Sequence, residues 1–372
     1  MTAVCDASRE QLVRMVDAAI LAPSAENTQP WRFAIEDDRL VVGIDRSRTL
    51  ASDVDDMLTL TGIGAAIENT VIAARGMGLA ATAIYPLSGK PRGVLGDGFE
   101  WVAEISVTPG EVDDPLSAYL TQRCTTRRLT AEPIAADVLQ RLRAAAADFP
   151  EVRVDWLTSR ADIKPIAKLV GLGNRLRFEH EPFHREFYDN VRFKPGEVAA
   201  TQDGLDVKTL QRPIGVGGIL HALRKWPRMR AANRLGFSRA VARQAAAEVC
   251  CSGAVGVLSV DAATPESFLA GGRALERIWI AAAATGLGFH PTASLPVFMA
   301  YAQRTDGGKL PVEYREVAAE MSRGFCNQMP CLGNRAIQML FRVGMAESSP
   351  PRSLRREVRK AVDVASEEQD AD

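Results

Sequence analysis

Apolar residues at Leu12, Val13, Val16, Ala19 and Ile20 recur at helical spacing, and Pro23 stops the pattern because it has no N–H to donate. Alternation then takes over at Phe33 and Ile35 and again from Leu40 to Ile44, predicting a strand and a hairpin-like second strand. The run 64–79 is apolar on every face and rich in Ala and Gly, the pattern of a tightly packed, buried helix. Strands are expected around 80–85 and 101–107. Beyond them the pattern predicts a helix over 134–147, a strand over 152–158 and a helical insertion over about 163–247. A strand over 254–260, a second buried helix over 272–287 and a last strand follow.

The two buried helices are related. At a constant offset of 208 residues Gly64, Ala66, Glu68, Ile72, Ala73, Ala74, Gly78 and Leu79 recur as Gly272, Ala274, Glu276, Ile280, Ala281, Ala282, Gly286 and Leu287. A gapless register with a shared Glu and a shared Gly-Leu exit points to an internal duplication.

Between the first helix and first strand lies Pro23-Ser24-Ala25-Glu26-Asn27-Thr28-Gln29-Pro30-Trp31-Arg32-Phe33. Ser and Asn hold irregular backbone through local hydrogen bonds, and such pinned polar loops carry binding groups. The pattern P-S-x-x-N-x-Q-P-W-x-F resembles the signature loop of the FMN-dependent nitroreductase family. That resemblance implies that Ser24 and Asn27 touch the flavin across a dimer interface and that Trp31 is a packing anchor. The family's Arg-x-Ser/Thr-x-Arg/Lys segment is missing before the first helix. It stands at mid-chain as Arg123-Cys124-Thr125-Thr126-Arg127-Arg128. The second half has Ala147-Asp148-Phe149-Pro150-Glu151-Val152 where the signature loop would fall. The halves are complementary, so the chain is similar to the tandem, double-length (Acg-like) branch of the family.

The resemblance implies an α+β fold, a nitroreductase-like α/β sandwich whose two tandem halves form an intramolecular pseudo-dimer. The expected units are 1–120, 121–350 with the insertion, and a basic then acidic tail over 351–372. One FMN per chain follows, with NAD(P)H as electron donor. Arginine suits the flavin phosphate because its planar fork makes paired charge-assisted bonds. Arg123 and Arg127 stand four apart, so on a helical turn they would face the same way, with Thr125 adding a hydroxyl. By resemblance Pro291, Thr292 and Ala293 line the ring edge, and Arg352 and Arg355 complete the phosphate pocket. No side-chain catalyst is required, since the chemistry is the flavin's. The reaction expected is hydride transfer through N5 to a small nitro-aromatic or quinone-like acceptor. A flavin-sequestering or flavin-free relative, and an FMN-dependent dehydrogenase or oxidase of a C–N or C–C bond, stay open.

Composition narrows the partners. A net charge of −1 gives no reason to expect nucleic acid, and six cysteines in 372 residues make no disulfide scaffold. Residues 1–10 are polar with no apolar signal region, and no spanning segment is evident, which predicts a soluble, cytoplasmic protein. The internal pseudo-dimer predicts a monomer, or a dimer of such chains, acting on small molecules. His180 and His184 share a helix face but find no third metal ligand, so no metal is expected. The stretch 207–247 has nine Lys/Arg and no acid, which reads as a lid, a solvated helix or a peripheral membrane contact.

Overall fold

A computed structural model describes residues 7–36, 39–85, 99–110, 114–304 and 310–364. The first half runs α1 (Arg9–Ala19), β1 (Trp31–Glu36), β2 (Arg39–Asp45), α2 (Met57–Arg75), β3 (Leu79–Ile84) and β4 (Phe99–Pro109). The second half opens with α3 (Ala136–Ala144) and β5 (Val152–Leu157). An insertion follows: α4 (Arg160–Glu179), α5 (Glu181–Asn190), β6 (Val191–Arg192), α6 (Pro195–Thr201) and β7 (Leu205–Asp206). It continues through α7 (Val216–Ala222), α8 (Trp226–Arg234) and α9 (Phe237–Cys250). The half then resumes with β8 (Ala254–Val260), α10 (Pro265–Ala284), β9 (Gly288–Thr292), α11 (Ser294–Gln303), α12 (Val312–Gln328) and β10 (Ala336–Gly344). A short β11 (Val362–Val364) ends the described chain.

The duplication is visible in the strand order. The first sheet runs β1-β2-β4-β3 and the second β5-β8-β10-β9, and every neighbouring pair in each is antiparallel. These are the same arrangement met twice, with α2 matching α10. Each sheet buries one face on its own central helix, and the two helices bury the rest on each other. Gly64 on α2 lies so close to the Leu269 carbonyl that a Cβ there would overlap it, and Gly272 on α10 has the same relation to Thr61. Leu269 is Thr61 shifted by 208 residues, so the two contacts are one contact repeated about a pseudo-twofold axis. Only residues without a side chain allow backbones this close.

Although α2 is apolar and long enough to span a membrane, 94% of its most apolar window is buried inside the protein. It is a core helix, packed by α1, α10 and the first sheet. Trp31 is 1% exposed and anchors the end of the signature loop, as its resemblance implied.

One expectation changes. Residues 351–364 are not a tail: the segment crosses to the first half, and β11 joins the first sheet beside β1 in parallel, with Phe33 opposite Val362. The edge strand β1 leaves unpaired backbone groups that the incoming strand satisfies. Val364 closes that strand, and the acidic stretch 365–372 lies outside the described residues, as do residues 1–6. The insertion, expected as helical over about 163–247, is six α-helices with a two-stranded pairing of β6 with β7.

Gly64→Ala should destabilise the protein by about 3 kcal/mol, at the upper end for overpacking, because a backbone carbonyl cannot move aside like a side chain. Gly218→Ala, which meets nothing within 4 Å, serves as control. Urea unfolding checks both: unchanged stability in Gly64→Ala would refute the close approach.

Candidate functional site

Residues 24–29 form a strained loop. Glu26, Asn27 and Gln29 all have positive φ, at 51°, 55° and 54°. A non-glycine residue held there costs of order 1–3 kcal/mol and persists only where its surroundings enforce it. Those surroundings are visible. The Ser24 hydroxyl accepts from the Gln29 backbone N–H at 2.9 Å. The Asn27 amide donates to the carbonyls of Gly204 (2.9 Å) and Leu354 (3.1 Å), and its Oδ1 accepts from Arg355 at 2.8 Å. Gln29 donates to the Gln202 carbonyl at 2.9 Å and accepts from the Arg356 backbone N–H at 2.9 Å. The loop is therefore clamped between the insertion and the crossing C-terminal segment.

The mid-chain arginines meet it from the second half. Residues 123–127 are extended rather than helical, with Thr125 bridged to Phe289. This corrects the expectation that Arg123 and Arg127 share a helix face. Arg123 is buried against Trp279 (4.6 Å to the ring centroid), and its Nε lies 2.7 Å from Glu276 Oε1. It also donates to the Leu21 carbonyl. Arg127 turns toward the insertion and β9, donating to the Thr209 carbonyl at 3.0 Å and reaching His290 at 3.0 Å. Arg352 and Arg355 approach from the C-terminal segment. Arg352 donates to the Arg123 carbonyl at 3.2 Å, and Arg355 to Asn27 and, at 3.2 Å, to the Leu21 carbonyl.

On β9, Pro291 and Thr292 pair with Phe341 and Leu340 of β10, and Ala293 precedes α11. They join the cluster through His290. Arg355 meets Asn27, Arg123 and Arg355 both donate to the Leu21 carbonyl, and Arg352 reaches the Arg123 carbonyl. Arg127 instead joins His290 and Arg342 in a second group beside β9, next to Thr125 and residues 291–293.

The electrostatics of this region are unbalanced. Burial and neighbouring cations hold Arg127 and Arg342 down to about 10 and Arg355 down to about 9. Burial pushes the Glu276 carboxyl up to about 7 against the pull of Arg123. Arg355 Nε is buried with no acceptor among the described residues. His290 sharpens the point. Its Nδ1 lies 2.9 Å and 3.2 Å from two nitrogens of Arg342, and its Nε2 lies 3.0 Å from Arg127. Burial between two guanidiniums holds its pKa well below the usual imidazole value, so the ring is neutral. A neutral imidazole has one N–H, and in either tautomer that N–H points at a cation. One donor too many remains, which an anionic acceptor would resolve.

Sequence reasoning missed His290, Arg342, Glu276 and Gln211, whose Oε1 accepts from the Arg127 N–H at 2.9 Å. Glu276 shows in the sequence only as a repeated position, and nothing local singles out His290. Arg342 lies in a strand whose register was not legible.

The pseudo-symmetric partner region is built differently. Glu68, the counterpart of Glu276, accepts from Arg273 (2.7 Å) and Arg277 (2.9 Å), both on α10. Arg277 also donates to Asp114 at 2.9 Å. At the equivalent positions α2 carries Ala65 and Asn69. A cavity of about 290 Å³ remains there, lined by Glu68, Arg75, Tyr85, Phe149 and Arg273 among others. The second half's own cations occupy the neighbourhood of Glu68, and the segment before β5 is Ala147-Asp148-Phe149-Pro150-Glu151 rather than the signature loop. His184, the other metal candidate of note, is buried with its Nε2 3.0 Å from the Leu223 carbonyl, and no metal-binding cluster occurs among the described residues.

Parts of the chain are similar to known proteins. A family model described as "Putative TM nitroreductase" matches residues 2–63, the segment that includes the strained loop. A "Putative NAD(P)H nitroreductase acg" of Mycobacterium tuberculosis is 27% identical over 181 residues, 46% of this chain and 51% of that protein. An uncharacterized protein of the same organism is 26% identical over 293 residues, 77% of this chain and 39% of the relative. The matched regions thus span about half or less of those curated relatives. The FMN-dependent nitroreductase NfnB from Mycobacterium smegmatis, solved with NADPH, superposes at a TM-score of 0.39 and 10% identity, over 67% of this chain and 97% of that one. The chain is thus similar to nitroreductases over its first 63 residues, and its architecture is α+β. Its repeated strand order shows two like halves within one chain.

Two outcomes follow from the charges. An imidazole whose folded pKa lies below its unfolded value of about 6.5 loses stability as pH falls through that value, because the unfolded chain binds the extra proton. Glu276, raised above its unfolded value, works in the opposite sense between about 4.5 and 7. The stability difference between wild type and His290→Gln should therefore change by about 1.4 kcal/mol per pH unit below pH 6.5. Denaturant titrations at several pH values read that slope, and a flat difference would contradict the neutral, doubly flanked ring. On the other side, Glu68→Ala should cost about 3 kcal/mol in the same assay by leaving Arg273 and Arg277 without their shared carboxylate.

Proposed function

We propose that the chain is an FMN-dependent oxidoreductase that holds one flavin between its halves and uses NADH or NADPH to reduce a small nitro-aromatic or quinone-like acceptor. The observation that carries this reading is the surplus of buried guanidinium at Arg355, beside the strained loop, and at Arg127, beside β9, with Arg355 Nε and the Arg127–His290 contact both lacking an acceptor. A flavin phosphate is a dianion of the size and charge that such a surplus suits. Arg123, Arg127, Arg352 and Arg355 would hold the phosphate and nearby polar atoms, with the Thr125 hydroxyl in support. Ser24 and Asn27 would meet the flavin from the first half, and Pro291, Thr292 and Ala293 would flank the ring edge.

When bound, FMN supplies hydride acceptance and release at N5. The chain's own residues bind, orient and exclude water. The α2–α10 core would hold the first half's loop toward the second half's arginines, and the crossing C-terminal segment would cover part of the cluster through Arg355. Two substrates that use one pocket in turn need no nucleophile or general base from the protein.

A second reading, a flavin-free relative, is favoured by Asn27. Its amide and Oδ1 are already engaged by Gly204, Leu354 and Arg355, so cofactor entry has to exchange those bonds.

Titration of the protein with FMN, followed by anaerobic NADPH, separates the readings. The oxidoreductase reading predicts a bound flavin whose visible band bleaches. Arg127→Ala should weaken binding about tenfold or more, the value of one charge-assisted bond of about 1.5–3 kcal/mol. Arg352→Ala, at an exposed position, should act in the same direction without unsettling the fold. Bound flavin that stays oxidised would leave a binder, and a protein that takes up no FMN would leave the flavin-free reading.

A further inference from the structure

The insertion carries a surface that the site does not use. Between Asp206 and Glu248 there are nine cations and no carboxylate. Among the described residues Arg212 is paired, to Glu248, and the other eight cations are exposed. Arg224, Lys225, Arg228, Arg230, Arg234 and Arg239 lie on or beside α8 and α9. The inner faces of these helices are already satisfied, since Phe178, Phe187, Leu220 and Met229 form a separate small core beneath them. The outer face is therefore free to take a partner, and its field selects an anionic one.

Aliphatic side chains stand out on the same segment. Ile214, before α7, is fully exposed, Leu235, at the turn from α8 to α9, is 92% exposed, and Ile219 is 53% exposed. Bare aliphatics at turns cost solubility and pack against nothing here. A phosphodiester backbone gains nothing from them. A bilayer rewards both features, because its headgroups attract the cations and its acyl boundary accepts the side chains.

We propose that the α7–α9 surface docks on an anionic lipid bilayer, with Ile214 and Leu235 inserted among the acyl chains and the surrounding Arg and Lys on the headgroups. Such docking would bring the candidate site to a membrane surface, where apolar quinone-like acceptors concentrate. The docking claim rests on the surface alone and stands whether or not flavin binds.

The test is flotation of the full chain with phosphatidylcholine–phosphatidylglycerol vesicles, against pure phosphatidylcholine vesicles and duplex DNA. The proposal predicts flotation only with the anionic vesicles, weakened by salt. Arg234→Ala and Arg239→Ala should each lower partitioning about fivefold. The Ile214→Ser, Leu235→Ser double variant, checked for unchanged circular dichroism, should lose the fraction that survives high salt. Equal flotation of that variant at every salt concentration, flotation with neutral vesicles alone, or no flotation would overturn the proposal. So would tight binding of DNA by a protein that ignores vesicles.

Discussion

The close approach of α2 and α10 at Gly64 and Gly272 is the contact on which everything else depends. It sets two sheets of identical strand order back to back about one pseudo-twofold axis, and so fixes where each half's loop meets the other half's arm. A side chain at either glycine would part the helices and with them the loop and the arginines that converge on it. The pairing is self-complementary in the manner of a symmetric dimer interface, but the symmetry is carried within one chain.

Once both copies share a chain, each is free to change separately. The first half carries the strained loop, and the second carries the Arg123–Arg128 segment with a different sequence before its first strand. Around Glu276 the answering cation comes from the arm, as Arg123, and the neighbourhood is left with surplus buried positive charge. Around Glu68 two arginines on α10 close the charge account, and Asp114 completes the network. The same carboxylate position thus serves an unsatisfied site on one side and a structural ion-pair lattice on the other. Buried guanidiniums facing an imidazole N–H are costly, and such a cost persists where a ligand or a function repays it.

Much of this was legible in the chain. The helical and alternating patterns located the four strands of the first half, the first two strands of the second and the body of each central helix, because each element is amphipathic or wholly buried. By contrast β9 and β10, separated by α11 and α12, were expected as one last strand. The offset of 208 between the Gly64 and Gly272 runs exposed the duplication. The loop around Ser24 and Asn27 was legible because its residues are unusual and contiguous. Less legible were contacts that depend on long-range placement. His290 lies on β9 between Arg127 and Arg342, far apart in sequence, and nothing local announces the triplet. Arg123 and Arg127 were expected on a helical turn, but pairing of Thr125 with Phe289 draws that segment out and sends the two side chains to different partners. Residues 351–364 read as a tail because β11 is three residues long and finds its partner in the opposite half.

The central claim is that one chain assembles a single cofactor site from unlike halves. Equilibrium titration with FMN, combined with light scattering to fix the mass of the titrated species, tests it most directly. The account predicts one flavin per monomeric chain. Two flavins per chain, or one shared between two chains, would show that the asymmetry between the Glu276 and Glu68 sides has been misread.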